Sequence, residues 1–295
     1  MRHPIQIARQ LAARLPPIQR LLNERDAARA THNGARTSLI GGVLRASAPD
    51  TYFRTILNGV DVWLPRDTLR TMVHCVHLRP EDNALMLYVE TAHLNWMMQR
   101  LHGGGTFLDV GAATGATTLP VAIRLCTAVS VIAYEPARRS RQLLTDTLAR
   151  NEVRGVEVRA VAVSDTQGQA DFCEMPFDDT DAAPYLPETS SLSAPYVAKA
   201  ATATYTVQVT TLDDEVATRL LAEPVVVKVD VEGFEVHVLR GAPKFIERHR
   251  PHLSIDIHGA PFGAGETTEA DCRTFLSRWG YTFENMGHVL LCSPL

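Results

Sequence analysis

Hydrophobic and polar positions follow two different rhythms along this chain, and the change falls near residue 100. Beyond it, short and nearly unbroken apolar runs recur: TFLDVG at 106–111, VSVIAYE at 129–135 and VVVKV at 225–229. Runs of this length, bounded by turn residues, predict strands buried on both faces of a parallel sheet. VEVRAVAVSD (156–165) reads as a third strand, TVQVTTLDDEV (206–216) resumes the pattern after a gap, and PHLSIDIHG (251–259) supplies another strand. Segments with helical spacing separate them at 117–125, 138–150 and 269–279, and YTFEN with HVLLCS forms a terminal pair. Strands alternating with helices in this way predict an α/β fold with a doubly wound, mostly parallel sheet and right-handed crossovers.

Before residue 100 the pattern differs. Residues 1–35 predict an N-terminal helical segment broken at Pro16-Pro17, because proline lacks an amide donor and clashes inside a helix. Leu11, Leu15, Ile18, Leu21 and Leu22 share one apolar face there, which suits a packing or homo-oligomerisation arm. Asn58-Gly59 lies between two β-like runs and predicts a hairpin, since both residues tolerate positive φ. Residues 67–100 read as helical, with Leu85, Leu87, Val89, Leu94 and Met97 among polar positions. The chain thus divides into a helical segment (1–35), an accessory hairpin with helices (36–100) and a main domain (101–295). One stretch of the main domain, 174–204, is rich in Pro, Ala, Ser, Thr and acids and has little periodicity. A loop this long inside a compact domain suits a functional surface, here the acceptor pocket, with Ser190-Ser191-Leu192 as its ordered edge.

Composition narrows the classes. A hydrophobic fraction of 45% and a charged fraction of 21% suit a soluble globular protein with a full core. A formal net charge of −4 argues against a dedicated nucleic-acid binder. The five cysteines are scattered and never in CxxC spacing, so they read as free thiols of a reducing compartment. No stretch approaches the ~18 apolar residues of a membrane span, and the N-terminus lacks a signal-peptide core. A cytoplasmic location is the expectation.

Four constellations carry chemistry. FLDVGAATG (107–115) ends a strand in an acid and turns through small residues into a helix, which lets backbone approach a nucleotide-like ligand. An acid as close as Asp109 repels a pyrophosphate but suits a cation, such as the sulfonium and ammonium of S-adenosylmethionine (SAM). Glu135, ending the second strand, is placed to accept hydrogen bonds from both hydroxyls of a ribose. Ser164-Asp165 sits where an adenine amino group could be read, or caps the next turn. Finally, KVDVEGFE (228–235) brings Lys228, Asp230 and Glu232 to a strand end, with Lys228 and Asp230 on one face. Ionisable groups at a buried strand end must be paired or functional.

Taken together, FLDVGAATG, AYEP, AVSDTQGQADF, TSSL, VTTLDD and VKVDVEGFEVHVLRGA resemble the FkbM-type SAM-dependent methyltransferases. The likeness spans roughly residues 105–260. It implies a class I SAM-methyltransferase (Rossmann-like) fold, with Asp109, Gly111 and Gly115 around the amino-acid end of SAM, Glu135 on the ribose and Asp165 near the adenine. Ala112, Pro136, Ser164 and Asp230 complete the expected cofactor set. Asp256 departs from the family pattern, where Glu is commoner.

The expected reaction is O-methylation of a natural product, sugar or glycan. A hydroxyl is a poor nucleophile near neutrality, so a general base should help. His258 is the first candidate, because an unperturbed imidazole titrates near pH 6.5. Asp230 and Glu232 are the alternatives, and His237 reads as helix surface. Asp230 with Asp256 or His258 could also hold a Mg²⁺-like ion, although no metal is required. Two other readings stay open: an NAD-dependent oxidoreductase on a similar sheet, and a catalytically silent adaptor that keeps the fold.

Overall fold

A computed structural model describes residues 39–79, 81, 84–174, 203–258 and 269–295. The expected N-terminal helical segment and the Ser190-Ser191-Leu192 edge lie outside the described residues, as does most of the 174–204 stretch. Within them, a seven-stranded sheet has the order β13-β14-β12-β11-β5-β6-β7. These strands are β5 (Gly105–Val110), β6 (Val129–Tyr134), β7 (Val156–Arg159), β11 (Val225–Val229), β12 (His252–Asp256), β13 (Tyr281–Met286) and β14 (Val289–Pro294). The first five run parallel, and the β13–β14 hairpin joins antiparallel at β12. Every residue of β5 and β11 is buried, as their unbroken apolar runs require.

The chain enters this sheet at β5, winds outward through β6 and β7, then crosses back to lay β11 on the other side of β5. The carboxyl ends of β5 and β11 therefore form a topological switch point, where a crevice opens in doubly wound sheets. Contact there is close: the Asp230 amide donates to the Val110 carbonyl at 3.0 Å. A Cβ on Gly111, whose φ is +83°, would lie 1.8 Å from the Asp230 carbonyl oxygen.

Two smaller sheets flank the main one. The first is β2-β1-β4-β3, from β1 (Tyr52–Leu57), β2 (Val60–Pro65), β3 (Val76–Arg79) and β4 (Ala84–Leu87). Its β1–β2 hairpin turns at Asn58-Gly59, both at positive φ (47° and 83°), as the sequence predicts. The helical reading of 67–100 is corrected. Only Thr91–Arg100 and the short Arg66–Thr71 segment are regular α-helix, and β3 and β4 lie between them. Leu85 and Leu87 repeat every second residue, and β4 gains its hydrogen bonds from β1, a partner that period alone does not reveal.

The second small sheet, β8-β10-β9, contains β8 (Val161–Val163), β9 (Gly168–Glu174) and β10 (Ala203–Thr210). The expected single strand 156–165 is thus two: β7 pairs with β6, while β8 leaves for β10. The α/β pattern that resumes at 206–216 is strand β10 as far as Thr210, after which Thr211 caps the helix Leu212–Val216 by accepting from the Asp214 amide. Among the described residues no two cysteines form a disulfide, and no helix is long and apolar enough to cross a membrane.

Gly111→Ala should cost about 3 kcal/mol or more of stability, because it adds both strain at positive φ and overlap with the Asp230 carbonyl. Denaturant unfolding checks this, and a loss below about 1 kcal/mol would show that the β5–β11 contact can yield.

Candidate functional site

The crevice at the switch point is a cavity lined by several separate segments of the chain. Gly111 to Thr114, Ala116 and Thr117 form the turn after β5; Glu135, Pro136 and Ala137 follow β6; Asp230, Val231 and Glu232 follow β11; Asp256 and His258 come from the end of β12 and just beyond. Val161, Ala162, Val163 and Phe172 of the β8–β10–β9 sheet add an apolar wall. Met72, His74, Cys75, Val89 and Glu90 close it from the accessory part.

Glu135 organises one end. Its Oε2 accepts from the Ala113 amide and its Oε1 from the Ala137 amide, each at 2.7 Å, so one carboxylate pins two loops. Ala113 itself adopts φ +47°, a left-handed position that its residue type does not advertise. Burial pushes the Glu135 carboxyl up to about 7 against the pull of those two amides.

The other end is a network of charges. Lys228 is buried and its Nζ lies 2.7 Å from Asp230 Oδ2. Burial opposes its charge, but Asp230, Glu90 and Asp109 together raise its pKa well above the usual lysine range. His258 Nδ1 lies 2.8 Å from Glu235 Oε1, and its Nε2 faces Glu232 Oε2 at 3.4 Å and Asp230 Oδ1 at 3.7 Å. Burial opposes the imidazolium, yet the Glu235 hydrogen bond, Glu232 and Asp230 lift His258 to about 10. The imidazole expected to serve as a base near its unperturbed pKa therefore carries its proton at neutral pH. Burial pushes Glu232 up to about 8 against the attraction of His258, and Asp256 up to about 6. Glu232 also sits at φ +52°, an uncommon strained position for a side-chain-bearing residue.

Not every predicted site residue reaches the cavity. Asp109 is fully buried behind it: its Oδ2 accepts from the Thr118 hydroxyl at 2.6 Å, and burial raises its pKa to about 6. Gly115 lines no part of the cavity. A Cβ there would meet Leu144 Cδ1 at 2.5 Å, so its glycine serves helix packing. Ser164 and Asp165 also stand outside the lining. Asp165 Oδ2 lies 2.8 Å from His237 Nδ1, which corrects the reading of His237 as helix surface. Its partner lies 72 residues away in sequence. Glu90 and the Met72–Cys75 wall went unnoticed because no strand-end motif marks them.

Asp230, Asp256 and His258 have ligand atoms within 4.8 Å of one another, the spacing of a divalent-cation site. A cation bound there would displace the proton from His258 Nε2, so its affinity would rise with pH.

Fold and crevice together define the class: this is the class I SAM-methyltransferase architecture, with its ligand cavity at the switch point. Residues 109–283 match the Methyltransferase FkbM domain, so the chain belongs to the FkbM methyltransferase family. Among solved structures, an FkbM methyltransferase from Methylobacillus flagellatus is 18% identical at a TM-score of 0.42. The match covers 65% of this chain and 44% of that one, so the chain spans less than half that protein's length. The Bacillus subtilis tRNA methyltransferase TrmK is 12% identical at a TM-score of 0.37, covering 69% of this chain and 66% of that one. A Streptococcus mutans structure in complex with SAH is 9% identical at 0.40, covering 69% and 96%. No curated protein matches.

His258 gains its proton affinity from the fold, so its stabilisation is complete below about pH 6.5 and is lost as pH climbs through about 10. The stability gap between wild type and His258→Gln in urea should narrow steadily from pH 6.5 to 9.5. A gap that stays constant would mean that the imidazolium is not what the carboxylates hold.

Proposed function

We propose that this chain is a SAM-dependent methyltransferase acting on a hydroxyl of a small molecule or glycan. The observation that carries the reading is a cavity with two chemically different ends. Val161, Ala162, Val163 and Phe172 wall an apolar end beside Glu135, which suits an adenosine with its ribose diol toward the carboxylate. The far end sets Glu90, Asp230, Glu232 and Asp256 against Lys228 and His258. Glu232, raised to about 8, is mostly protonated near neutrality, so three carboxylates stand against two cations. The excess favours a positively charged ligand and repels a pyrophosphate, which separates SAM from NAD.

SAM, when bound, supplies a methyl group already activated on a sulfonium. The chain's own residues then have to orient the acceptor, exclude water and take one proton. Glu232 is the proposed base: it lines the cavity, and its pKa of about 8 is near the operating pH where a base works best. His258 is a positioning residue, holding Glu232 and Asp230 through its Nε2 while Glu235 fixes its Nδ1. Lys228 anchors Asp230 from behind. Met72, His74, Cys75 and Val89 provide the wall against which an acceptor would rest.

Calorimetric titration should show binding of SAM and its demethylated product SAH, and none of NAD. NAD binding without SAM binding would sink the reading. Incubation with methyl-labelled SAM and fractionated cell extract should yield a labelled product by mass spectrometry. Absence of label from every fraction would favour a silent adaptor. Glu232→Gln should lower labelling by about 10²- to 10⁴-fold while SAM affinity stays within about threefold. A matching loss of affinity would place Glu232 in binding instead.

A further inference from the structure

Glu90 belongs to no strand-end motif and precedes the family match, yet it lines the cavity. It opens the helix Thr91–Arg100 at a left-handed φ of 52° without capping that helix through its side chain. The residues on either side are clamped by the hairpin turn. Asn58 Oδ1 accepts from the Val89 amide at 3.0 Å and the Thr91 hydroxyl at 2.9 Å, and Asn58 Nδ2 donates to the Val89 carbonyl at 2.8 Å. A backbone held against its preference in this way aims a side chain at a fixed point.

That side chain is half committed. Glu90 Oε2 meets His93 Nε2 and the Thr117 hydroxyl, each at 3.1 Å. Oε1 accepts no hydrogen bond among the described residues. Burial works against the charge, but Lys228 and the bonds from His93 and Thr117 hold the pKa down at about 2, so Glu90 is ionised at any working pH. Lys228 is itself neutralised by Asp230. Glu90, Asp109 and Asp230 thus gather around one ammonium at the inner end of the cavity, with the His93 imidazole beside Glu90. Thr117 is the N-cap of the helix that follows the Gly111–Gly115 turn, so its hydroxyl sets Glu90 beside that turn.

We propose that Glu90, through Oε1, receives the α-ammonium of the amino-acid end of SAM. The proposal rests on the SAM reading above and moves the role expected of Asp109 to a residue outside the motif. Asp109 instead secures the turn through Thr118.

The test compares three ligands by calorimetry on the full chain: SAH, the SAH analogue lacking the α-amino group, and 5′-methylthioadenosine, which lacks the whole amino-acid end. Wild type should prefer SAH over the desamino analogue by about ten- to a hundredfold, the range of a charge-assisted hydrogen bond. In Glu90→Gln this preference should shrink below about threefold, with methylthioadenosine affinity unchanged. A preference that persists in Glu90→Gln, or equal weakening of all three ligands, overturns the proposal alone. Failure of wild type to bind either SAH or methylthioadenosine removes the SAM reading and this proposal with it. If Glu90→Gln does not fold, Thr117→Val removes only a hydroxyl that orients Oε2. It should narrow the same preference, and an unchanged preference there counts against Glu90.

Discussion

A buried ammonium ties this structure together. Lys228 sits at the end of β11 among carboxylates from three separate segments: Asp109 on β5, Asp230 just past β11, and Glu90 from the accessory part. A charge taken out of water is tolerated only when it is paired, and removing one partner of such a group typically costs about 3–5 kcal/mol. The network therefore does more than decorate the crevice. It makes the accessory sheet, the central strands and the cavity wall mutually dependent, so the site exists only when all three are in place.

The same arrangement sets the chemistry. Burial at the carboxyl ends of β6, β12 and β11 pushes Glu135, Asp256 and Glu232 up to about 7, 6 and 8. Two groups are held in their charged forms instead: Glu90 by Lys228 and its hydrogen bonds, and His258 by Glu235. Environments that push similar groups apart in this way separate the roles of binding, positioning and proton transfer within one cavity. Three of the seven non-glycine residues at positive φ among those described, Glu90, Ala113 and Glu232, lie on this one rim. That is where strain is expected when geometry matters more than stability.

Much of this was legible beforehand, for definite reasons. Strands buried on both faces must be apolar throughout, so β5, β6 and β11 announce themselves. Asn58-Gly59 marks its hairpin because few residues accept positive φ. Lys228 and Asp230 pair as strand alternation requires. Elsewhere local pattern was ambiguous. The alternation in 156–165 is equally good for one strand or two, and only the competition between β6 and β10 for hydrogen bonds divides it. Leu85 and Leu87 suit a helix or a strand until β1 lies beside them. His237 looks like a helix-surface residue until Asp165 is placed against it.

By itself, then, the sequence determined the parallel sheet, the strand ends that carry acids, the small-residue turn and membership of the FkbM family. Each depends on local steric and hydrophobic requirements that a short stretch of chain can express. Tertiary structure alone decided which of those acids face the cavity. Asp109 is drawn behind the wall by Thr118, and Glu90 is brought to the front by Asn58. It also decided that His258 holds its proton, because Glu235, Glu232 and Asp230 surround it. Charge and proton affinity depend on neighbours in space, and those neighbours are assigned only when the chain has folded.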